Sequence, residues 1–247
     1  AATLLQTSSR IVIKSGTLLG VDSGAASGSG NVTPPVTPPT PNATASIAWW
    51  KLNENTGTVA SDSIGSYNGT ISGAAWTTGI NGSALVFDGT NDYVEVNNQI
   101  ITDYPFTISA WIYLDKYKNS EQAIVNIGAS GLPDVYYGIY LERQGKVGIM
   151  ASDGTPQSLV VPDLNKKTWH HIVGVFSSES DRKLYVDGSL ELSDTVAIPF
   201  NSNTDRWSFG RWSDSAQSAH YEGTLDEVKL WDRALNDTEV QQLYLNP

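Results

Sequence analysis

The chain of 247 residues contains no cysteine, so disulfides and thiolate metal ligands are excluded. It also lacks any run of about 18 apolar residues, and we therefore expect no membrane insertion. Basic residues are few: 15 Lys and Arg stand against 26 Asp and Glu, a formal net charge of −11. A surface so acidic repels phosphate backbones, which argues against a nucleic-acid partner. The same acidity suits calcium, a hard cation that binds oxygen ligands.

Composition divides the chain into three parts. Residues 1–23 hold two short apolar runs around a polar turn, which predicts a hairpin or extended arm that anchors the chain to partner subunits of a larger assembly. Residues 24–46 are rich in Gly, Ser and Pro and form a linker, either a semi-rigid polyproline spacer or a disordered tether. Residues 47–247 have the length of one all-β domain. Ala1–Gly20 shows no signal-peptide pattern, and a cleaved signal and a removed initiator Met are both open as the origin of Ala1.

Turn dipeptides punctuate the third part at regular intervals. Asp-Gly occurs at 88–89, 153–154 and 187–188, and Asn-Gly occurs at 68–69 and 81–82. These pairs favour the tight turns of β-hairpins, because they tolerate positive φ angles. Short strands with such turns, and no sustained helical period before the C-terminus, predict an all-β, two-sheet antiparallel sandwich.

The segment 225–232 alternates in polarity like a strand that lies on a core. Simple alternation places Asp226, Val228 and Leu230 on one face and Leu225 on the opposite face. An acid beside aliphatic neighbours is costly unless it is hydrogen-bonded or bound to a metal. Asp226 is therefore a candidate functional residue.

A short C-terminal helix follows this strand. Asn236 and Glu239 have the spacing of a capping box, and Leu235 and Val240 have the spacing of a hydrophobic staple. Both patterns predict a helix of about two turns that begins directly after Asn236.

Five segments carry a family resemblance, namely residues 47–70, 83–96, 106–114, 168–191 and 222–244. In this order they resemble the laminin-G-like and pentraxin-like jelly rolls of the concanavalin A-like lectin superfamily. The resemblance covers residues 47–247 and implies a jelly-roll sandwich for this part of the chain, which the predicted arm precedes. Separately, residues 8–17 (SSRIVIKSGT) are similar to the short basic openings of phage fibre and decoration proteins.

The predicted metal site is for calcium, which needs several converging oxygen atoms at about 2.3–2.6 Å. In the resembled family, metal sites commonly join the loop after the SALVFD strand to the terminal strand. The candidate ligands are Asp88, Asn91, Asp92, Asp226 and, more weakly, Asp62. The alternative is that Asp88 closes its own turn with an Asx hydrogen bond, while Asp226 accepts from backbone amides or a Trp N–H group.

Aromatic residues in polar loops indicate glycan binding, because sugars stack their apolar faces on flat rings. The candidates are Tyr117, Tyr136, Tyr137, Trp212, His220 and Tyr221, which we expect to be exposed. Against this, Tyr136 and Tyr137 could begin a strand with one ring buried, and Trp212 could cover the sandwich edge.

The remaining tryptophans and the adjacent histidines are interpreted as structural. Trp169 and five other tryptophans occur in strand-like segments and are predicted to pack in the core. His170 and His171 are neighbours in a strand, so their side chains lie on opposite faces and cannot share a metal.

Catalysis is not predicted. Glycosidases on the resembled fold place paired carboxylates on one face of a strand, in an E-x-D-x-E pattern that this chain lacks. Asp226 and Glu227 are adjacent and point to different faces. The Gln-x-His and Tyr-x-Lys-type patterns of jelly-roll lyases, the nucleophile elbow and the phosphate loop are also missing.

The sequence therefore predicts a non-catalytic adhesion or carbohydrate-binding module, stabilised by calcium and exposed outside the cell or on a virion. Its partners are a polysaccharide or cell-surface glycan and, through residues 1–23, the subunits of an assembly. One alternative is a structural or decoration subunit of a virion or surface filament that binds no glycan. The other is the carbohydrate-binding module of a secreted polysaccharide-degrading enzyme.

Overall fold

The structure, a computed structural model, describes residues 46–247. The predictions for the arm (1–23) and for the linker up to residue 45 lie outside the described residues. In chain order the strands are β1 Ala48–Trp50, β2 Val59–Ala60, β3 Gly69–Ser72, β4 Ala75–Thr78, β5 Ser83–Asp88, β6 Tyr93–Val96, β7 Phe106–Tyr113, β8 Gln122–Gly128, β9 Val135–Leu141, β10 Lys146–Asp153, β11 Gln157–Asp163, β12 Trp169–Ser178, β13 Asp181–Val186, β14 Ser189–Asp194, β15 Arg206–Phe209 and β16 Glu222–Trp231. One α-helix, α1, spans Asp237–Leu245.

The strands form two antiparallel sheets of eight strands each. Sheet A has the order β14-β13-β12-β7-β16-β5-β4, with β1 also paired to β16. Sheet B has the order β11-β10-β9-β8-β15-β6-β3-β2. The predicted all-β sandwich with one short C-terminal helix is therefore confirmed for the described residues.

The core lies between the two sheets. Along β7, Phe106, Ile108 and Ile112 point inward and are fully buried, as a period of two requires. Aromatic rings contribute the largest volumes: Phe106 stacks on Phe176 with ring centroids 4.5 Å apart. Across the core, Trp50 from sheet A meets Phe209 from sheet B edge to face at 5.0 Å. These contacts fix how the two sheets face each other.

Three of the five predicted hairpin turns are confirmed. Turn 81–82 joins β4 to β5, turn 153–154 joins β10 to β11, and turn 187–188 joins β13 to β14. The prediction for Asn68-Gly69 is wrong, because Gly69 is the first residue of β3 and pairs with Ala60. The prediction for Asp88-Gly89 is wrong, because β5 belongs to sheet A and β6 belongs to sheet B. The dipeptide makes a tight turn, but the chain then crosses between sheets.

The predicted helix and its cap are confirmed. The Asn236 side chain accepts from the Glu239 amide at 3.1 Å, and the Glu239 carboxylate accepts from the Asn236 amide at 2.9 Å. Leu235 and Val240 lie together in a buried cluster on the outer face of sheet A. The helix therefore covers part of that face.

The predicted faces of the last strand are wrong for Leu225 and Asp226, because β16 contains a bulge. Asp226 lies on the same face as Lys229 and not on that of Val228. The pairing of β16 with β7 runs from Asp226 opposite Trp111 directly to Lys229 opposite Ser109, and the register shifts between them. Glu227 takes a φ of 51°, which is rare for a non-glycine residue. The extra residue reverses the alternation, so Leu225 joins Val228 in the main core instead of facing away from it.

We expect Asn236→Ala to lower the free energy of unfolding by about 1 kcal/mol, because two backbone N–H groups lose their cap. Urea denaturation measures this change. Gln241→Ala, an exposed position in the same helix, is the matched control and should change stability little. Equal effects of the two substitutions would contradict a role for the cap.

Candidate functional site

Asp226 lies at the bulge and is completely buried. One carboxylate oxygen accepts from the amides of Ile80 at 2.9 Å and Asn81 at 3.2 Å, in the turn between β4 and β5. The other oxygen accepts from the Glu227 amide at 2.8 Å. The alternative interpretation from the sequence, an acid held by backbone amides, is therefore confirmed for Asp226.

Glu227 is also completely buried and joins three elements. Its carboxylate accepts from the indole N–H of Trp49 in β1 at 2.6 Å and from the side-chain amide of Asn81 at 3.2 Å. The ammonium group of Lys229 lies 3.4 Å from the same carboxylate. The ammonium groups of Lys51 and Lys229 lie 4.1 and 4.5 Å from the centroid of the Trp49 ring. We call Asp226, Glu227 and their partners the carboxylate clamp.

Burial governs the protonation of the clamp. Desolvation raises the pKa of Asp226 to about 7, although three amide hydrogen bonds favour the ionised form. Desolvation also lowers the pKa of Lys229, and the neighbouring Glu227 opposes that shift. Hydrogen bonds and ion pairing therefore stabilise the charged groups of the clamp, which are shielded from solvent.

The five predicted calcium ligands do not come together. Asp88 pairs with Glu222, four residues along β16 from Asp226, so the two aspartates are about 13 Å apart along the strand. Asp88 instead accepts from the Thr90 amide at 2.8 Å, the predicted Asx turn. Asp92 is buried and accepts from the Asp88 amide at 2.9 Å, while Asn91 is exposed. This separation corrects the prediction of one site that joins the loop to the last strand.

Asp62 has a separate structural role. Its carboxylate accepts from the amides of Trp49 at 2.9 Å, Ile64 at 3.1 Å and Tyr67 at 3.3 Å, which shapes the loop after β2. Among residues 46–247, no group of three or more His, Cys, Asp or Glu side chains is arranged to hold a metal ion. Calcium binding stays a prediction, without a site at these five residues.

The expectation of exposed aromatic residues is wrong for four of the six candidates. Tyr136, Tyr137, Trp212 and Tyr221 are each at most 5% exposed. The loop from 211 to 220 folds back over the outer face of sheet B, where Trp212 stacks on Tyr136 with centroids 4.1 Å apart. Tyr137 and Tyr221 lie in the main core. Ligand contact at these four positions stays a prediction, but the structure gives a ligand almost no ring surface there.

Tyr117 and His220 are half-buried. The Tyr117 hydroxyl donates to the carbonyl of Leu164 at 2.6 Å, and the Lys166 ammonium lies 4.5 Å from the ring centroid. The backbone carbonyl of His220 accepts from Lys118 at 3.2 Å. Tyr117 therefore has a structural contact on one side and a cation on its face.

The adjacent histidines have different partners, as their strand positions predict. His170 Nδ1 lies 2.8 Å from the Asp187 carboxylate, and this hydrogen bond raises the pKa of His170. His171 Nε2 lies 2.8 Å from the Ser109 hydroxyl beneath the outer face of sheet A. Burial lowers the pKa of His171 to about 3, so this ring is neutral.

An open row of side chains crosses the outer face of sheet A. Successive register pairs join Ala75, Val86, Thr224, Tyr113 and Trp169 across five strands. Each of these residues is exposed or half-buried. We call this set the transverse row. Tyr113 is not distinguished in the sequence, and the prediction that Trp169 packs in the core is wrong, because strand alternation alone does not show which face stays uncovered.

The transverse row borders a cleft of about 280 Å³. Tyr113, Thr224, Asp115, Lys116 and Glu222 contribute to its lining. The Lys116 ammonium and the Glu222 carboxylate form an ion pair at 2.7 Å. The rings of Tyr113 and Trp169 lie side by side, with centroids 5.7 Å apart and planes inclined by 53°. The site thus combines two aromatic rings with two acids, a base and a hydroxyl group.

Comparison with known families identifies the fold family. Residues 88–241 match the model of the concanavalin A-like lectin/glucanases superfamily, and the chain belongs to this family. The resemblance seen in the sequence is therefore confirmed. A comparison with curated protein sequences gives no match. None of the helices in residues 46–247 is long and apolar enough to cross a membrane.

Solved structures share the fold at low sequence identity. Trypanosoma rangeli sialidase in complex with sialic acid has a TM-score of 0.68 and 16% identity, over 83% of this chain and 33% of the sialidase chain. Domain 4 of AbnA, a GH43 extracellular arabinanase from Geobacillus stearothermophilus, was solved with arabinotriose. It has a TM-score of 0.65 and 17% identity, over 80% of this chain and 97% of that domain. This chain thus spans about a third of the sialidase but nearly all of the arabinanase domain.

The clamp predicts a specific dependence of stability on pH. The pKa of Asp226 is raised in the folded state, so between about pH 4 and pH 7 the folded protein holds a proton that the unfolded chain has released. The contribution of Asp226 to stability is thus largest at low pH and is lost as pH rises towards 7. Urea denaturation from pH 4 to pH 8 measures it, with Asp226→Asn as the variant that cannot titrate. If the free energies of unfolding of the wild-type protein and of Asp226→Asn changed in parallel with pH, this expectation would be refuted.

Proposed function

We propose that residues 46–247 form a non-catalytic carbohydrate-binding domain that holds its ligand at the cleft beside Tyr113 and Trp169. The observation that carries this proposal is the pair of partly exposed rings on the open part of sheet A. Large aromatic side chains normally bury their area, so two adjacent open rings beside a polar cleft favour a binding role.

The chemistry of the cleft fits a sugar. A pyranose or furanose ring presents C–H groups on its face and hydroxyl groups at its edge. The rings of Tyr113 and Trp169 offer apolar surfaces for the face, and Thr224, Asp115 and the Lys116–Glu222 pair offer donors and acceptors for the hydroxyl groups. Binding sites that fix orientation with a few polar groups beside apolar surface are the usual arrangement.

The structural neighbours support this proposal. Domain 4 of the arabinanase is a separate domain solved with arabinotriose, and this chain covers almost all of it. The likeness favours a carbohydrate-binding module that belongs to a larger secreted protein, such as a polysaccharide-degrading enzyme. The activity of the sialidase is not part of the proposal, because this chain covers only 33% of that protein.

The placement of the acids supports binding without catalysis. Asp226 and Glu227 are sealed from solvent and accept hydrogen bonds from the protein itself. In the cleft, Glu222 is already engaged by Lys116. Anchoring to partner subunits through residues 1–23, and with it the role of a decoration subunit, stays a prediction.

Trp169→Ala should lower glycan affinity about tenfold or more, because stacking aromatic residues often dominate a binding interface. Tyr113→Ala should have a similar effect. Isothermal titration with arabinose, xylose and galacturonate oligosaccharides measures both, after circular dichroism confirms the fold.

Trp76→Ala is the matched control, since Trp76 is a half-buried tryptophan of sheet A that packs towards the core. It should leave affinity unchanged. Binding that survives the loss of both Trp169 and Tyr113, or no binding across a broad glycan array, would overturn the proposal.

A further inference from the structure

Positive charge is concentrated at one end of this acidic domain. Residues 46–247 contain 13 Lys and Arg against 25 Asp and Glu. Six of the 13 fall in the segments 114–121, 142–146 and 163–168, which contain only four acids. The rest of the described chain has seven basic and 21 acidic residues. We call these three segments the basic end; its cations are Lys116, Lys118, Arg143, Lys146, Lys166 and Lys167.

Backbone contacts fasten the three segments together. The Gln144 amide donates to the Lys118 carbonyl at 3.0 Å, and the Leu164 amide donates to the Gly145 carbonyl at 3.0 Å. The Lys167 amide donates to the Leu114 carbonyl at 2.8 Å. The grouping of the cations therefore follows from the fold and not only from chance contacts of long side chains.

Tyr117 fills the centre of the basic end. A Cβ atom on Gly145 would lie only 2.5 Å from the Tyr117 ring. The turn at 143–145 can therefore lie this close to the ring only because residue 145 is glycine. The Tyr117 hydroxyl reaches the Leu164 carbonyl at 2.6 Å. The ring thus supports the lysine-bearing loops from within.

Most of these cations are open to solvent. Arg143, Lys146, Lys166 and Lys167 are exposed, and the Lys116 side chain is 69% exposed. Lys118 differs, because its ammonium group donates to the backbone carbonyls of Gly89 and His220. Four of these cations are thus available to a ligand, while Lys116 would have to leave its ion pair with Glu222.

The basic end continues directly into the proposed cleft. Lys116 lines the cleft, and Lys167 is two residues from Trp169. The backbone bond from Lys167 to Leu114 places this lysine beside the end of β7, next to Tyr113. A chain-like ligand that stacks on Tyr113 and Trp169 therefore meets the lysines with its next residues.

From this juxtaposition we propose that the ligand is an acidic polysaccharide, one whose sugars carry carboxylate groups. The inference rests on the proposed function and names the substrate class for the same site. The overall negative charge of the domain does not oppose it, since charges more than about 8 Å away are largely screened at physiological ionic strength. Short-range pairing with exposed lysines therefore decides the preference.

A nucleic acid fits these observations less well. The cleft offers hydroxyl-binding groups, which suit a sugar ring.

The test compares two polymers with the same backbone, polygalacturonate and its fully methyl-esterified form. Wild-type protein should bind polygalacturonate at least about tenfold more tightly, and sodium chloride should reduce that difference. Lys166→Glu/Lys167→Glu should remove the preference while affinity for the esterified polymer stays unchanged. The milder Lys166→Gln/Lys167→Gln variant should reduce it by a smaller factor.

Lys183→Glu is the matched control. Lys183 pairs with Val175, six residues along β12 from Trp169, which is about 20 Å away. This variant changes the net charge but should keep most of the preference for polygalacturonate.

The outcomes separate this inference from the proposed function. Binding that depends on Trp169 but is equal for the two polymers would overturn the acidic ligand and leave the carbohydrate site in place. No binding of either polymer, together with negative glycan arrays, would overturn both. Equal affinity for a DNA oligonucleotide would show general polyanion binding and would also overturn the inference.

Discussion

The domain depends on two buried carboxylates at the bulge of its last strand. Taking Asp226 and Glu227 out of water is costly, and the cost is offset only because N–H groups from the strand itself, the β4–β5 turn and Trp49 surround them. Along β16, pairing changes here from β5 to β1. The clamp therefore joins β1 to β16. It also fixes which residues of β16 point towards the core and which point outward.

The alternation of side chains along β16 decides which of them face outward on sheet A. Helix α1 covers only part of this face: Tyr244 near its end stacks on Trp111, with ring centroids 5.7 Å apart. The next row along β7 and β12 is Tyr113 with Trp169, where the surface is open. The candidate site thus lies just beyond the part of the outer face of sheet A that helix α1 covers. Its chemistry then depends on the lysine-bearing loops at the same end of the sheet.

Sequence patterns correctly predicted the features that depend on interactions between residues close together in the chain. The cap at Asn236 and the Asp187-Gly188 turn each depend on a few neighbouring residues, and both are present in the structure. The bulge at Glu227 was not predictable, because a single extra residue leaves no mark on an alternating pattern. The crossing between sheets after Asp88-Gly89 was not predicted either, because a tight turn can lead to a strand of the same sheet or of the other sheet.

The candidate site was the hardest part to predict, because exposure there depends on distant segments. Trp212 occurs among polar residues, yet Asn126 from β8 binds the backbone of its loop and holds the ring against sheet B. Trp169 occurs in an apolar strand and stays open because no later segment within the described residues covers it completely. Burial in both cases is set by tertiary packing, which residue type and neighbours do not reveal.

Titration of the isotope-labelled protein with a galacturonate trisaccharide, followed by ¹H–¹⁵N NMR, shows whether an acidic sugar binds beside Tyr113 and Trp169. The chain has eight tryptophans, each with one indole N–H signal. We expect the signals of the Trp169 indole and of the amides around Tyr113 and Lys167 to shift on binding, while those of the buried Trp207 and Trp212 indoles do not. Shifts centred on Trp212 and sheet B, or no shifts at high trisaccharide concentration, would contradict this expectation.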